Sequence, residues 1–390
     1  MARYDRIAPL PSPPRDRAIP AWPVLRDLEG RERDTDLARR VRLRFLALRP
    51  VRRLATRGIE RVPAPSFHRQ VEAVRAELGA LPANDPERSR LARFLHQIGT
   101  RTPLAVTAAT LDMGEVLEEG GHLYGAEEFY RTALQLAEAY GLTPQRVIAH
   151  RLLGRVLRAL RRWPEATESY RVAVELSRTL DAAEQWCRSM DGLAAAYREE
   201  GRFDDARRVY GELLDRGQDR SDALCTATAL AGLCRTELDA GDPDRAVELG
   251  WLVLPRTVDA EQRHLVLRTL GLALTKLGLY TAAERCHGIV TERTAVPATR
   301  VQALLDLARV AAYVGRSDLA GDRLRRAIAE AGRHGLGRLL GQAEELLSDL
   351  ERGAAGERVT APVAASPSEQ TRRIAAEIEA LDTTLVPASG

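Results

Sequence analysis

The chain has 390 residues and a formal net charge of +3, and hydrophobic residues make up 45% of it. A charge this small gives no global reason to expect a nucleic-acid-binding protein. No stretch approaches the about 18 consecutive apolar residues of a membrane-spanning helix, and residues 1–23 lack the apolar run of a signal peptide. Aromatic residues make up only 5%, whereas the helix formers Ala, Leu, Arg and Glu dominate, so the composition predicts an all-α protein.

Arginine replaces lysine almost everywhere, since Lys276 is the only lysine. This bias is typical of a high-GC genome, although arginine also makes bidentate contacts with carboxylates and phosphates that lysine does not make. The four cysteines form no CxxC pair, and no metal-ligand spacing joins them to the seven histidines. Isolated thiols in a helical chain fit a reducing cytosol, so the sequence predicts a cytoplasmic protein without a metal site.

The N-terminal part divides into two regions. Residues 1–34 are rich in proline and charge, and we expect them to be largely disordered because proline blocks helix interiors. Residues 35–100 form a basic helical segment, which begins with an amphipathic helix over 35–62 that Pro50 interrupts. Its arginines that are candidates for contact with an acidic partner are Arg39, Arg40, Arg42, Arg44, Arg52 and Arg53.

Three interpretations of this basic helix remain open: packing on the first repeat, contact with nucleic acid or an acidic partner, and binding to a membrane surface. A helical pair follows at residues 66–79 and 86–99. Asp85 is expected to cap the second of these helices, with Pro86 in its first turn.

From about residue 103 the chain repeats itself every 37–40 residues. Each repeat has a small residue that we expect where two helices touch: Ala126, Ala166, Ala206, Ala246, Ala283 and Ala320. A leucine or methionine followed by a small residue lies thirteen positions earlier in every repeat. Five repeats carry a glycine five residues before the alanine, which can end the first helix in the left-handed conformation, and the second repeat carries Arg161 there. Tyr130, Tyr170 and Tyr210 are expected to fill the gap to the next repeat.

This pattern resembles the tetratricopeptide repeat (TPR) family. The matching residues are the Leu-Gly pairs at 153–154 and 270–271 and the Gly-x4-Ala-x3-Tyr run at 201–210. The usual period is about 34 residues, so the chain is more similar to the long-repeat variants found in peptide-pheromone receptors and kinesin light chains, in a bacterial, high-GC version. The resemblance covers residues 101–353 and implies an all-α, right-handed α-solenoid of about six TPR-like helical hairpins with a C-terminal cap helix.

The last part of the chain is expected to be a flexible tail over residues 354–390. The apolar-then-acidic residues 336–353 before it are typical of the cap that a repeat array needs over its final apolar face. Ser366 is expected to cap one short helix in the tail, over about 369–382, with Pro367 in its first turn.

Catalytic and cofactor motifs do not occur. No glycine-rich phosphate loop opens a helix after a strand, the seven histidines include neither HExxH nor HxxxH, and paired carboxylates lie where helices end. We therefore expect no catalytic residue, no cofactor and no metal, and a protein that binds rather than catalyses.

The resemblance implies that the first helix of each hairpin lines an inner groove. Counting from the leucine anchors, helical spacing puts one set of charged residues on that face: Arg151, Arg155, Arg158, Arg188, Asp191, Arg198, Arg235, Arg268 and Arg309. The first six arginines of this set meet only Asp191 as an acid, so we expect an anionic ligand to offset them. The alternative is that these arginines only reflect the composition of an arginine-rich genome and lie on a solvated face.

The function that follows is a non-catalytic adaptor or regulator that binds a peptide or protein segment, with acidic character, in this groove. The rival hypothesis is a nucleic-acid-associated regulator that uses residues 39–61 and the groove arginines, although residues 1–100 contain nothing like the helix-turn-helix of pheromone-controlled repressors.

Deleting residues 1–62 should distinguish the two hypotheses while leaving the repeats folded, since it would abolish nucleic-acid binding, whereas an adaptor would keep its partner. Arg155→Ala and Arg235→Ala should weaken binding, whereas changes at Arg207 or Arg325 on outer helices should not.

Overall fold

The structure is a computed structural model that describes residues 35–257, 260–353 and 366–381, and within these ranges it contains helices and no β-strand. The expectations for residues 1–34 and for the tail at 354–365 and beyond 381 lie outside the described residues. The α-helices are α1 Thr35–Arg57, α2 Ala64–Glu77, α3 Pro86–Gly99, α4 Pro103–Glu119, α5 Leu123–Ala139, α6 Thr143–Ala159, α7 Trp163–Thr179, α8 Ala183–Glu199, α9 Phe203–Asp219, α10 Ala223–Ala240, α11 Pro243–Val253, α12 Ala260–Lys276, α13 Tyr280–Arg293, α14 Pro297–Tyr313, α15 Ser317–Arg333, α16 Gly337–Gly353 and α17 Glu369–Glu379.

Helices α4 to α15 follow one another as six successive hairpin pairs in the described part of the chain, and α16 comes after them at the position of the cap. The all-α solenoid class predicted from the repeats is therefore confirmed. The chain forms two compact units, residues 1–196 and 197–390, and the boundary between them falls inside α8.

The repeat anchors have the burial that the pattern predicts. All six alanines from Ala126 to Ala320 are at most 1% exposed. The residue that ends each first helix has a positive φ in all six hairpins, including Arg161 at 59° where the others have glycine. The backbone N–H of Arg162 then donates to the carbonyl of Leu157 at 2.9 Å, which satisfies a helix-end carbonyl.

The three tyrosines act as wedges between successive first helices, as predicted. A Cβ added to Gly154 would lie 3.0 Å from the ring of Tyr170, and one added to Gly192 would lie 2.2 Å from the same ring. In unit 2 a Cβ on Gly232 would lie 2.1 Å from Tyr210. Glycine is therefore required at Gly154, Gly192 and Gly232, because the aromatic ring occupies the space of a side chain.

Helix α1 continues through Pro50 without interruption, which corrects the expectation of a break there. A proline costs one backbone hydrogen bond within a helix, but Pro50 is buried in the packed side of α1. Leu43, Leu48 and Leu54 of α1 are at most 2% exposed, in one core with the first two hairpins. Of the three interpretations, packing on the first repeat is the one that the structure shows. Deleting residues 1–62 would remove part of this core, so that deletion cannot leave unit 1 intact.

Helix α17 packs on α11 and α13, the second helices of the fourth and fifth hairpins. Ile374, Ala375 and Ile378 are buried there in the core of unit 2. The cap residue is Ser368 rather than the expected Ser366, because the hydroxyl of Ser368 accepts a hydrogen bond from the N–H of Thr371 at 3.1 Å. The described part of the tail is therefore a docked helix.

Candidate functional site

The candidate site of unit 1 lies on the first helices α4, α6 and α8. We call it the first-helix surface of unit 1 and define it by the charged residues Glu115, Glu118, Arg151, Arg155, Arg158, Arg188 and Asp191. All of these residues except Arg188 share an offset from the leucine anchor with a residue of another helix, so the three helices turn the same face in the same direction. The tyrosine wedges reach this surface from the second helices.

Arg155 belongs to a closed ionic network. Its Nε donates to Glu118 Oε1 at 2.6 Å and its second guanidinium nitrogen donates to Glu118 Oε2 at 2.8 Å, while Glu115 lies at 3.5 Å. The hydroxyl of Tyr130 also donates to Glu118, at 2.8 Å. Burial and the carboxylate of Glu118 both raise the pKa of Tyr130, so this phenol stays a donor. Arg155 therefore holds two hairpins together, and Glu118 occupies the edge of its guanidinium formed by Nε and one terminal nitrogen.

Arg151 lies one turn before Arg155 on α6 and has a different environment. It has no hydrogen bond or ion pair within the described residues, and its Nε is buried without a partner. Burial lowers its pKa, and the positive charges of Arg155 and Arg188 lower it further. Arg151 therefore lies on the groove face of unit 1 without an ion pair or hydrogen bond among the described residues, and the carboxylate of Glu115 only partly offsets the effects that lower its pKa.

Two other predicted residues of unit 1, Arg158 and Asp191, lie near Tyr170. The charges of Arg158 and Asp191 act on its phenol, and burial raises its pKa to about 12. Arg188 is exposed and pairs with Glu184 one turn earlier, at 2.7 Å. The structure thus brings Arg158 and Asp191 close to Tyr170, whereas Arg188 pairs along α8.

In unit 2 the predicted arginines are paired with acids. Arg198 and Arg235 both bind Asp239, the latter at 3.2 Å. Arg268 and Arg309 both bind Asp306, at 2.7 and 3.0 Å. The expectation that Asp191 is the only acid among the groove arginines is therefore wrong.

The acids that neutralise these arginines were not predicted, although the repeat register contained a signal for one of them. Glu118 occupies the same offset as Arg158, so it lies on the groove face one repeat earlier. Asp306 directly precedes the anchor Leu307, so the repeat pattern assigns it to the buried face of its helix. Its side chain is 1% exposed, and only the structure shows that two arginines reach it there.

The arginines of α1 are also paired within the chain. Arg40 donates to Asp85 at 2.7 Å, and Arg44 donates to Glu87 at 3.0 Å. Arg52 donates to Glu128 at 2.9 Å, Arg42 approaches Glu77 at 3.9 Å and Arg53 donates to Ser66 at 2.9 Å. Arg39 is exposed. These bonds fix α1 on its neighbours, so they give no support to a nucleic-acid contact through this helix.

Arg207 is not the solvated arginine that its place on an outer helix suggested. Its guanidinium donates two hydrogen bonds to Glu237, at 2.9 and 2.7 Å, and one to Asp204 at 2.8 Å. A change at Arg207 would therefore disturb the packing of α9 on α10. Arg325, which is 62% exposed and pairs only with the exposed Asp322, is the better control.

The fifth hairpin carries a histidine at the wedge position. His287 lies four residues after Ala283, as the tyrosines do in the first three hairpins, and a Cβ on Gly271 would lie 2.5 Å from its ring. It is 0% exposed and neither ring nitrogen has a hydrogen-bond partner. Burial lowers its pKa to about 4, and the nearby Asp306 only partly opposes this, while Arg268 and Arg309 add to it.

We expect unit 2 to lose stability as the pH falls from about 6.5 towards 4, because an unfolded histidine has a pKa near 6.5 and binds a proton that folded His287 does not bind. The contribution is about 1.4 kcal/mol per pH unit in that window. His287→Phe removes the titrating group, so its free energy of unfolding should depend less on pH there. The measurement is urea unfolding of both proteins at several pH values. An equal dependence of the free energy of unfolding on pH in the two proteins would contradict the prediction.

Two features are absent from the part of the chain that the structure describes. No group of three or more His, Cys, Asp or Glu side chains is arranged to hold a metal ion. Among the same residues, no helix combines the length and apolar character needed to cross a bilayer.

Family models and solved structures of other proteins are similar to this chain. Family models of the tetratricopeptide repeat match residues 106–179 and 186–218, whereas no curated protein matches the chain. Similar solved structures include NprR in complex with its cognate peptide NprX (13% identity, 85% of this chain and 98% of that chain, TM-score 0.49). Others are a Rap protein complexed with competence and sporulation factor (11%, 81% and 99%, 0.46) and the apo form of RapI (12%, 80% and 99%, 0.45). The chain therefore contains tetratricopeptide repeats in residues 106–179 and 186–218, which lie among its six hairpins.

Proposed function

We propose that this chain is a non-catalytic adaptor or regulator that binds a peptide or protein segment on the first-helix surface of unit 1. Stacked repeats expose a continuous row of first helices, and repeat proteins use such surfaces to bind extended partners. The observation that carries the proposal is the buried Nε of Arg151 on that surface, which has no hydrogen-bond partner among the described residues. A bound partner with acidic character would offset it.

The chemistry of the surface supports binding rather than catalysis. Its carboxylates are engaged with arginines, as Glu118 is with Arg155, and the phenol of Tyr170 has a pKa raised to about 12 by burial. No nucleophile with a base beside it is found among the described residues of this surface. All four cysteines are buried free thiols, which supports a cytoplasmic location as part of the proposal.

The test compares two exposed arginines of the same unit. Arg188 lies on first helix α8 and pairs with Glu184, and Arg178 lies on second helix α7 and pairs with Glu175. Partners captured from the source cells on the immobilised chain are purified, and their Kd is measured for the wild type, Arg188→Glu and Arg178→Glu. We expect at least a tenfold loss for Arg188→Glu, since a charge-assisted hydrogen bond contributes about 1.5–3 kcal/mol, and no change for Arg178→Glu. Equal Kd values for all three proteins would rule out this surface.

A further inference from the structure

Arg151 differs from the other arginines of the first-helix surface of unit 1 in lacking any partner within the described residues. Arg155 is bonded to Glu118, and Arg188 is bonded to Glu184. The Nε of Arg151 is buried and donates no hydrogen bond. An unpaired buried donor costs about 1–3 kcal/mol, and more for a charged group, unless another molecule accepts the bond.

The acid whose charge acts on Arg151 is shared with another arginine. Glu115 is the carboxylate whose charge reaches Arg151, but Glu115 also lies 3.5 Å from the guanidinium of Arg155. On the other side, Arg188 of α8 adds a second positive charge to the field at Arg151. Two cations therefore flank Arg151 and one shared anion faces it, which is an environment that attracts a further negative charge.

We infer that Arg151 binds an oxyanion of the bound segment, either a carboxylate or a phosphate group. This inference rests on the proposed function and names the chemical group that the surface recognises. A guanidinium presents two parallel N–H donors in one plane, which match the oxygens of a carboxylate or a phosphate. The half-buried position desolvates the contact in part, and this strengthens it relative to a pair in open water.

The surroundings also indicate what accompanies the oxyanion. Ile148 lies three residues before Arg151 on the same face of α6 and is only half-buried against the core. The wedge Tyr170, 2% exposed, is close enough for the charge of Arg151 to act on its phenol. The segment therefore carries an apolar side chain beside its anionic group, so that the first covers Ile148 while the second meets Arg151.

The first experiment separates a binding role from a structural role. Arg151→Met keeps the length of the side chain and removes the charge, so the unfolding midpoint of the free protein should stay the same or rise, because a buried donor without a hydrogen bond is lost. Arg155→Met breaks the bonds to Glu118 and should lower the midpoint. If Arg151→Met lowers the midpoint as much as Arg155→Met, Arg151 has a structural partner and the inference is wrong.

The second experiment measures the recognised group directly. A displayed library of random twelve-residue peptides is selected on the wild type, on Arg151→Met and on Arg178→Met, the exposed control on α7. The wild type and the control should enrich peptides with Asp or Glu next to an apolar residue, and Arg151→Met should not. The best peptide is then synthesised with its acid intact, with the corresponding amide, and with phosphoserine in its place.

The amide should weaken binding to the wild type at least tenfold and leave binding to Arg151→Met unchanged, which is the coupling expected of a direct contact. The tighter of the acidic and phosphorylated peptides identifies carboxylate or phosphate as the natural group. Selected peptides without acid preference, or without coupling to Arg151, would contradict the inference while the proposed function stands. Retention of no peptide by any of the three proteins would contradict both.

Discussion

Ala206→Arg should unfold the hairpin that contains it and lower the free energy of unfolding of unit 2 by about 4 kcal/mol. Ala206 is 0% exposed, at the anchor position where the repeat pattern predicts helix contact. A larger side chain there overpacks the core, which costs about 1–3 kcal/mol, and a charge buried without a partner adds several kcal/mol. Such a loss is a large part of the total stability of an ordinary domain.

The matched control for this substitution is Ala223→Arg, at the exposed start of α10 in the same unit. We expect it to change the stability by less than about 0.5 kcal/mol, as is usual for exposed positions. Both variants are compared with the wild type by thermal unfolding followed by circular dichroism. If Ala206→Arg melts at the same temperature as Ala223→Arg, the register assigned to the repeats is wrong.

The repeat architecture was predictable because each hairpin must solve the same packing problem. A helix pair needs a small residue at its contact, a left-handed residue at its turn and an apolar anchor, and these recur at a fixed spacing. Arg161 shows that the position determines the conformation, since it has a φ of 59° although a left-handed conformation is unfavourable for a side chain with a Cβ. The period therefore identifies the turn even where glycine is missing.

The pairing of the groove arginines was not predictable from one helix at a time. Arg155 bonds to Glu118 and Arg268 bonds to Asp306, and the partners are 37 and 38 residues apart. This separation is one repeat, so each bond crosses from one first helix to the next. Spacings of three and four residues show which side chains share a face, but they do not show which of them meet across helices.

The two ends of the described chain depart from the sequence prediction for a similar reason. The arginines of α1 read as a charged surface, yet Arg40 and Arg44 bond to Asp85 and Glu87, more than forty residues further along. Helix α17 was predicted as a helix, but nothing local indicates that Thr371 reaches Asp244 at 2.6 Å. Contacts between distant segments determine both placements.

Asp306 is a second position in unit 2 at which a substitution should strongly lower the free energy of unfolding. The carboxylate of Asp306 is 1% exposed and holds Arg268 and Arg309 at 2.7 and 3.0 Å. Removing one partner of a buried ion pair costs about 3–5 kcal/mol, because the other charge stays buried without compensation. We expect Asp306→Ala to lower the free energy of unfolding by about 3 kcal/mol, at the lower end because Arg309 is partly exposed.

Further substitutions separate the ion pair from the mere loss of side-chain volume. Asp322→Ala removes a carboxylate that is 71% exposed and should cost less than about 0.5 kcal/mol. Asp306→Leu combined with Arg268→Met replaces both charges by apolar groups, so the double variant should recover much of the stability that Asp306→Leu loses alone. All variants are compared by urea unfolding at neutral pH. If the double variant is as unstable as the sum of its single changes, the two side chains are not coupled, and Asp306 does not stabilise unit 2 through Arg268.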